Sequence, residues 1–381
     1  MKPTMTMTAL GVILAAGWGG AADAQIRIGA SVSETGPASF LGDPAAKTLR
    51  MLVDEINEAG GILGEEVELV MYDDQGDASR ARTFATRLVE DDGVIAVIGG
   101  STTGTSMAMI PVLEEEQVPF ISLAGGIDII DPTKPFAFKT PHTDRMACEK
   151  IFEDMQERGL TRVGMISGTG GFGASMRNQC MDVAGDYDIE IIADESYGPG
   201  DADMTPQLTN IRGRDGLDAV LNPGFGQGPA IVTRNYAQLG IDVPLYQSHG
   251  VASNAVIDLA GPEAAEGVRL PGTALLIADL LEEGDPQRQV VHDYVAAYEA
   301  RFNDTPSTFA GYAHDAVRIL VDAIERAGTT DGVAVRDAIR ETADFAGTTG
   351  IVTMGEDDHL GLDLSAFRML EIRDGGWLQI E

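Results

Sequence analysis

The chain carries 60 acidic against 26 basic residues in 381, a net charge of −34, with 44% hydrophobic residues and 46 glycines. That length calls for two or three domains, each with enough apolar material for a core of its own. The acid is spread along the whole chain and reads as a solvated surface, which excludes a nucleic-acid partner, because phosphates would be repelled and no basic aromatic patch occurs.

Residues 1–24 read as a secretory signal peptide. Lys2 supplies the positive start, 9–18 the short apolar run, and Ala22-Asp23-Ala24 an A-x-A cleavage site before Gln25. That run is too short to span a bilayer, and no later stretch approaches ~20 apolar residues. No cysteine follows the cleavage site, so a lipid anchor there is not expected, and the mature chain is an exported, soluble one. Its two cysteines, Cys148 and Cys180, fall in helix-like stretches on either side of one predicted strand. An oxidising compartment permits a disulfide, yet adjacent helices can hold two Cα atoms beyond ~7 Å, and the pairing stays open. No histidine flanks them, so they make no metal site.

In chain order, 25–32 alternates apolar and polar residues and ends at the turn Ser33-Glu34-Thr35-Gly36-Pro37. A helix over 43–59 places Leu49, Leu52, Val53 and Ile56 on one face, and Gly60-Gly61 stops it. A strand over 67–72 leads to Asp73-Asp74, and 78–90 is helical again. The next unit is a strand over 94–98, a Gly-Gly-Ser-Thr-Thr-Gly turn, a helix over 105–116 and a strand over 118–123 ending in Ala124-Gly125-Gly126. In open sheets of such units a ligand sits off the carboxyl ends of the strands. Ser101, Thr102 and Thr103 stand where the helix starts, so hydroxyls and free N–H groups form an anion cradle. Helix capping alone would also put Ser and Thr there; the second small-residue turn, after the next strand, favours a binding site.

A Pro-rich passage over 131–141 reads as a crossover between lobes. A helix over 146–158 and a strand over 162–167 follow. The turn Gly168-Thr169-Gly170-Gly171-Phe172-Gly173 then leads into a helix near Ala174. With Asp194 and Glu195 downstream it has the look of a dinucleotide turn, but the spacing is not G-x-G-x-x-G and a tight strand-to-helix turn is the better reading. Strands over 189–193 and 218–221 flank a helix over 204–212. A helix over 230–239, a strand over 245–247 and a helix over 253–260 precede a second crossover over 268–273. Helices over 287–301, 311–327 and 332–341 and short strands over 350–381 complete the chain. The reading is an α/β fold: two Rossmann-like lobes with parallel sheets, joined by a multi-strand hinge around a cleft.

Catalytic patterns are missing from the sequence. His142, His249, His292, His314 and His359 show no metal spacing, and neither a G-x-S-x-G elbow nor a P-loop occurs. His142 and His249 stand apart, since each follows a predicted strand or crossover on the presumed cleft side.

With these turns in hand, the chain resembles the type I periplasmic binding proteins, within them the hydrophobic (branched-chain) amino acid subgroup that serves ABC importers. The resemblance covers essentially the whole mature chain and rests on IRIGASVSETGPASFLGDPAAKTLRMLVDEINEAGGILG, VELVMYDDQGD, VIGGSTTGTSMAMIPVLEEEQVPFIS, FKTPHTD, YQSHGVAS and TFAGYAHDAVRIL. It implies a periplasmic, monomeric, cofactor-free binding protein with no catalysis. One lobe is then 25–143 plus 272–345 and the other 144–271 plus 346–381, closing over one small ligand that is handed to a membrane permease. The family's carboxylate-binding hydroxyl falls on Thr103, flanked by Thr102. Its backbone donor falls near Ala124 or Gly125, its second-lobe acid on Asp144, and its aromatic lid on Phe172 with Phe225 opposite. Two departures matter. The family's threonine after Gly125 is Gly126 here, and the glutamate that grips an amino acid's α-ammonium is His249.

A fixed carboxylate stabilises a buried ammonium, whereas a histidine does so poorly and instead donates to an oxygen. An underpaired ammonium in a closed cleft costs on the order of several kcal/mol. The expectation is therefore a hydrophobic carboxylate without an α-amino group, an aromatic acid such as a benzoate or hydroxycinnamate. The alternative is a branched-chain amino acid, with Asp144 taking the ammonium.

Overall fold

The structure, a computed structural model, describes residues 25–380; the expected signal peptide lies outside them. The first sheet contains β1 (Ile26–Val32), β2 (Val67–Asp73), β3 (Ala96–Gly99), β4 (Phe120–Ser122) and β5 (Ala137–Lys139). It runs in the order β2-β1-β3-β4-β5, and every pairing is parallel. A parallel sheet is covered on both faces, which is why its central strands are nearly unbroken apolar runs. The strand β5 lies inside the Pro-rich passage that reads as a crossover. Only three residues long, between Pro135 and Pro141, it is too short for periodicity to reveal.

The second sheet contains β6 (Arg162–Gly168), β7 (Glu190–Tyr197), β8 (Ala219–Asn222), β9 (Leu245–Gln247) and β10 (Arg269–Gly272). After a small ribbon of β11 (Phe345–Ala346) and β12 (Ile351–Val352), β13 (Arg368–Arg373) and β14 (Gly376–Gln379) complete it. The order is β14-β13-β10-β9-β8-β6-β7, parallel from β7 to β10 and antiparallel at β13 and β14. The stretch expected as a second crossover is thus mostly the strand β10, and the chain leaves the sheet only after Gly272.

Twelve α-helices among the described residues cover these sheets: α1 (Ser39–Glu58), α2 (Ala78–Glu90), α3 (Thr103–Glu115), α4 (Asp144–Glu157), α5 (Gly171–Val183), α6 (Thr205–Arg212), α7 (Gln227–Gln238), α8 (Asn254–Ala260), α9 (Pro262–Ala265), α10 (Arg288–Phe302), α11 (Thr308–Ala327) and α12 (Gly332–Arg340). The late helices α10 and α11 return to the first lobe, where their apolar faces join α1 and β1 in one core. The chain therefore passes between lobes after β5, after β10 and again before β13, and these crossings are tied together. The Lys139 amide donates to the His359 carbonyl at 3.1 Å and Thr140 Oγ1 to the Tyr312 carbonyl at 2.9 Å. Among the described residues no helix is long and apolar enough to cross a membrane.

In the second lobe α4 and α5 are joined by a disulfide, Cys148–Cys180, whose Cα atoms lie 5.1 Å apart. Both half-cystines are fully buried, so the question the sequence left open is answered by two helices packed side by side.

Candidate ligand-binding site

Two helix N-termini face each other between the lobes. In the first lobe Thr102 caps α3: its Oγ1 accepts from the Thr105 amide at 3.1 Å, and the Thr105 hydroxyl accepts from the Thr102 amide at 3.0 Å. This reciprocal cap starts the helix two residues earlier than the expected 105. In the second lobe α5 begins at Gly171, also ahead of the expected Ala174, and a Cβ on Gly171 would lie only 3.7 Å from the Gly104 amide. The gap between them is a cavity of ≈ 30 Å³, taken as room for the centre of a water-sized sphere. That is space for about two waters, so the lobes are nearly shut.

Seven of the ten residues picked out from sequence meet at this cavity: Ser101, Thr103, Ala124 and Gly125 from the first lobe, and Phe172, Phe225 and His249 from the second. Ser101 Oγ accepts from the Ser33 amide at 3.0 Å, and Thr103 Oγ1 from the Gly126 amide at 3.2 Å. With an acceptor site filled on each hydroxyl, its proton is left to donate into the cavity. Two O–H donors beside the unpaired first-turn amides of α3 make a site for a carboxylate.

The other three are not among the lining residues. Thr102 is spent on the cap. His142 is fully buried and stacks on Phe367 at 3.9 Å; burial pushes its pKa down to about 3. Asp144 starts α4 with Oδ1 accepting from the Ile127 amide at 2.9 Å and the Arg145 amide at 3.1 Å. Burial raises its pKa, against the pull of Ser175 and Lys139. As placed, Asp144 anchors the turn after Gly126 and does not line the cavity.

His249 sits edge-on between Phe172 (5.4 Å) and Phe367 (5.5 Å) with 3% of its surface exposed. Burial above all, then the nearby His142 and Lys139, hold its pKa well below the ordinary value, so the ring is neutral. Its nearest polar neighbour is the His142 backbone, and among the described residues neither ring nitrogen makes a hydrogen bond of good geometry. A neutral imidazole offers one donor and one acceptor, which is less hostile to an ammonium than a charged ring would be.

Sequence reasoning missed several participants. Lys139 is fully buried, and its Nζ donates to the carbonyls of Gly125 at 2.9 Å, Gly126 at 3.3 Å and His142 at 3.4 Å, fixing the turn that faces α3. Burial lowers its pKa to about 7, opposed by Asp144. Phe309 and Tyr312 of α11 and Leu41 of α1 also line the cavity. Phe40 lies 6.1 Å from Phe225 and 5.8 Å from Phe309, so aromatic rings bridge the lobes at the cleft. No periodicity separates such residues from core; only the fold shows that α1 and α11 reach the cleft.

The turn glycines are explained by close approach. A Cβ on Gly125 would come within 2.8 Å of His249 Nε2 and 2.9 Å of Phe172 Cε2. One on Gly126 would meet Thr103 Cγ2 at 2.5 Å. The threonine that the family resemblance places at Gly126 is excluded here by the Thr103 methyl.

Two α/β lobes, three crossings and a cavity lined from both sides define a two-lobed ligand-capture protein. Residues 25–376 match the periplasmic binding protein family, and the chain belongs to it. It is similar to the leucine-, isoleucine-, valine-, threonine- and alanine-binding protein of Pseudomonas aeruginosa, at 26% identity over 88% of this chain and 87% of that one. A Leu/Ile/Val-binding protein of Rhizobium johnstonii is 27% identical over 89% and 90%. Among solved structures, an extracellular ligand-binding receptor from Rhodopseudomonas palustris HaA2 superimposes with a TM-score of 0.87 at 28% identity, covering 94% of this chain and all of that one. The branched-chain amino acid transporter substrate-binding protein LivJ of Streptococcus pneumoniae, in complex with isoleucine, gives 0.82 at 25% identity over 93% and 97%. These relatives are binding proteins and not enzymes, in line with the sequence reading.

Proposed function

We propose that the protein is the substrate-binding component of an ABC importer, acting as a periplasmic monomer that closes its lobes over a small hydrophobic carboxylate and delivers it to a membrane permease. The hinge is the set of crossings after β5, after β10 and between β12 and β13. The observation that carries this reading is the cavity lined from both lobes, with the paired Ser101 and Thr103 hydroxyls on one wall and Phe172, Phe225 and Phe309 around it. A ligand touching both lobes stabilises the closed state over the open one.

The names of the relatives favour a branched-chain amino acid, and that is the first reading. The neutral His249 would accept one ammonium hydrogen in place of the family's glutamate. A second reading, an aromatic acid without an ammonium, is favoured by one specific observation: among the described residues no aspartate or glutamate lines the cavity. Melting temperature of residues 25–381, freed of carried-over ligand by unfolding and refolding, separates them. Leucine, isoleucine and valine form one panel; benzoate, 4-hydroxybenzoate, cinnamate and p-coumarate the other. A ligand at 100 times its Kd adds roughly 2.7 kcal/mol. Stabilisation by the amino acids alone supports the first reading and by the aryl acids alone the second, and inertness to both defeats the ligand class.

A further inference from the structure

We infer that Tyr312 is a specificity-determining residue whose hydroxyl contacts the ligand, and hence that the ligand carries a second hydrogen-bonding group besides its carboxylate. This rests on the reading of the cleft as a carboxylate site and says what else the cargo must contain.

The polar valences that the cavity leaves open point to this residue. Ser101 and Thr103 have each received a backbone N–H and retain donors suited to a carboxylate. A further polar residue from the first lobe, Tyr312, lines the same cavity, and its Oη is buried and hydrogen-bonds to nothing among the described residues; across from it stands His249, whose nearest polar neighbour is the His142 backbone. Tyr312 is 3% exposed. Three other buried tyrosines are matched: Tyr294 shares a hydrogen bond of 2.7 Å with Thr48, Tyr246 donates to Asp154, and Tyr197 accepts from Asn222 at 3.3 Å. The backbone of Tyr312 is held, since its carbonyl receives the Thr140 hydroxyl at the first crossing, so the ring is presented from a fixed frame.

A buried hydroxyl without a partner is a standing penalty that a phenylalanine would avoid. A site built to bond a polar group discriminates strongly against the analogue that lacks it, because its own buried groups are then left unmatched. Unlike the carboxylate, the group read by Tyr312 is uncharged or an ammonium, since a hydroxyl and a neutral imidazole both donate and accept. A phenol hydroxyl on an aryl acid meets that description, and so does the α-ammonium of an amino acid. A plain benzoate, cinnamate or 4-methylpentanoate carries no such second group.

Tyr312→Phe tests this, as it deletes one oxygen and keeps the ring. Affinities are measured by calorimetry for matched pairs: 4-hydroxybenzoate with benzoate, p-coumarate with cinnamate, leucine with 4-methylpentanoate. The expected result is at least tenfold preference for the polar member in the wild type, reduced to threefold or less in Tyr312→Phe, with the less polar member unaffected. Equal weakening of both members, or no preference in the wild type, overturns the proposal. The ligand-free melting temperature is an independent test that needs no binder. An unmatched hydroxyl predicts that Tyr312→Phe melts at or above the wild type, and a clear fall means that the oxygen is already satisfied within the protein and overturns the assignment. Failure of every probe to bind would count against the proposed cargo, and the melting comparison would still decide on Tyr312.

Discussion

Breaking the Cys148–Cys180 link should weaken the second lobe specifically, by an amount the sequence separation sets. The bond closes a loop of 32 residues. Constraining such a loop in the unfolded chain is worth ~3.7 kcal/mol at 25 °C on the chain-entropy account. For a unit of 150–250 residues that corresponds to a melting shift of roughly 7–15 °C. The assay is built into the chain. Its two tryptophans are Trp18, in the expected leader, and Trp377, on β14 of the second lobe. Trp377 Nε1 donates to Asn254 Oδ1 at 2.8 Å, so unfolding of that lobe changes the indole's surroundings. Urea titrations of residues 25–381 followed by tryptophan fluorescence would compare the oxidised protein, the protein reduced in denaturant, and Cys148→Ala/Cys180→Ala. Reduced and doubly substituted forms should lose similar amounts, the latter slightly more because both sulfurs leave a fully buried site. A loss below about 1 kcal/mol in both would refute the entropic argument. Ligand affinity at low denaturant should change less than threefold, because the bond lies in the core between α4 and α5 and not among the cavity-lining residues.

Two further perturbations probe the cleft itself. His249→Glu restores the carboxylate that the family resemblance leads one to expect; it should gain at least tenfold, ~1.4 kcal/mol, for leucine and lose aryl acids, as read by calorimetry. Unchanged leucine affinity would mean that this position does not face the ammonium. Lys139 gives a pH signature: its pKa falls from 10.5 to about 7 on burial. Between those values the unfolded chain holds a proton that the folded chain has shed, so stability should rise with pH across that window, the full penalty being present below about 7. Urea midpoints from pH 6.5 to 9.5 should climb, and Lys139→Met should flatten the climb; an identical slope in the variant would exclude Lys139 as its source.

How far the sequence could be read depended on whether local order alone places a residue. The α3 turn was legible because a strand end, glycines and capping hydroxyls are consecutive, so Ser101 and Thr103 emerge at the cleft by construction. Phe172 was legible for the same reason at the start of α5. Gly125 and His249 followed from their positions just after strands of a parallel sheet. The strand β5 was hidden by its length and its flanking prolines, and β10 by its four residues with Pro271 among them.

Tyr312 and Lys139 fail differently. In sequence Tyr312 belongs to a strongly amphipathic helix whose apolar face packs on the first-lobe core, and there is no local reason to separate it from Phe309 or Val317. Its role arises only because the chain returns to the first lobe after β10, bringing the start of α11 against the first crossing at Thr140. Lys139 ends a strand, where a lysine ordinarily reaches solvent; here the carbonyls of Gly125, Gly126 and His142 converge on it. Both are products of tertiary closure. The hydroxyls proposed to hold a carboxylate are written into one turn, whereas the residues proposed to choose among carboxylates come from segments brought together by the crossings. On the proposed reading, substitutions at α11 or in the turn after β9 should change which carboxylate is taken while leaving the hydroxyls at α3 in place.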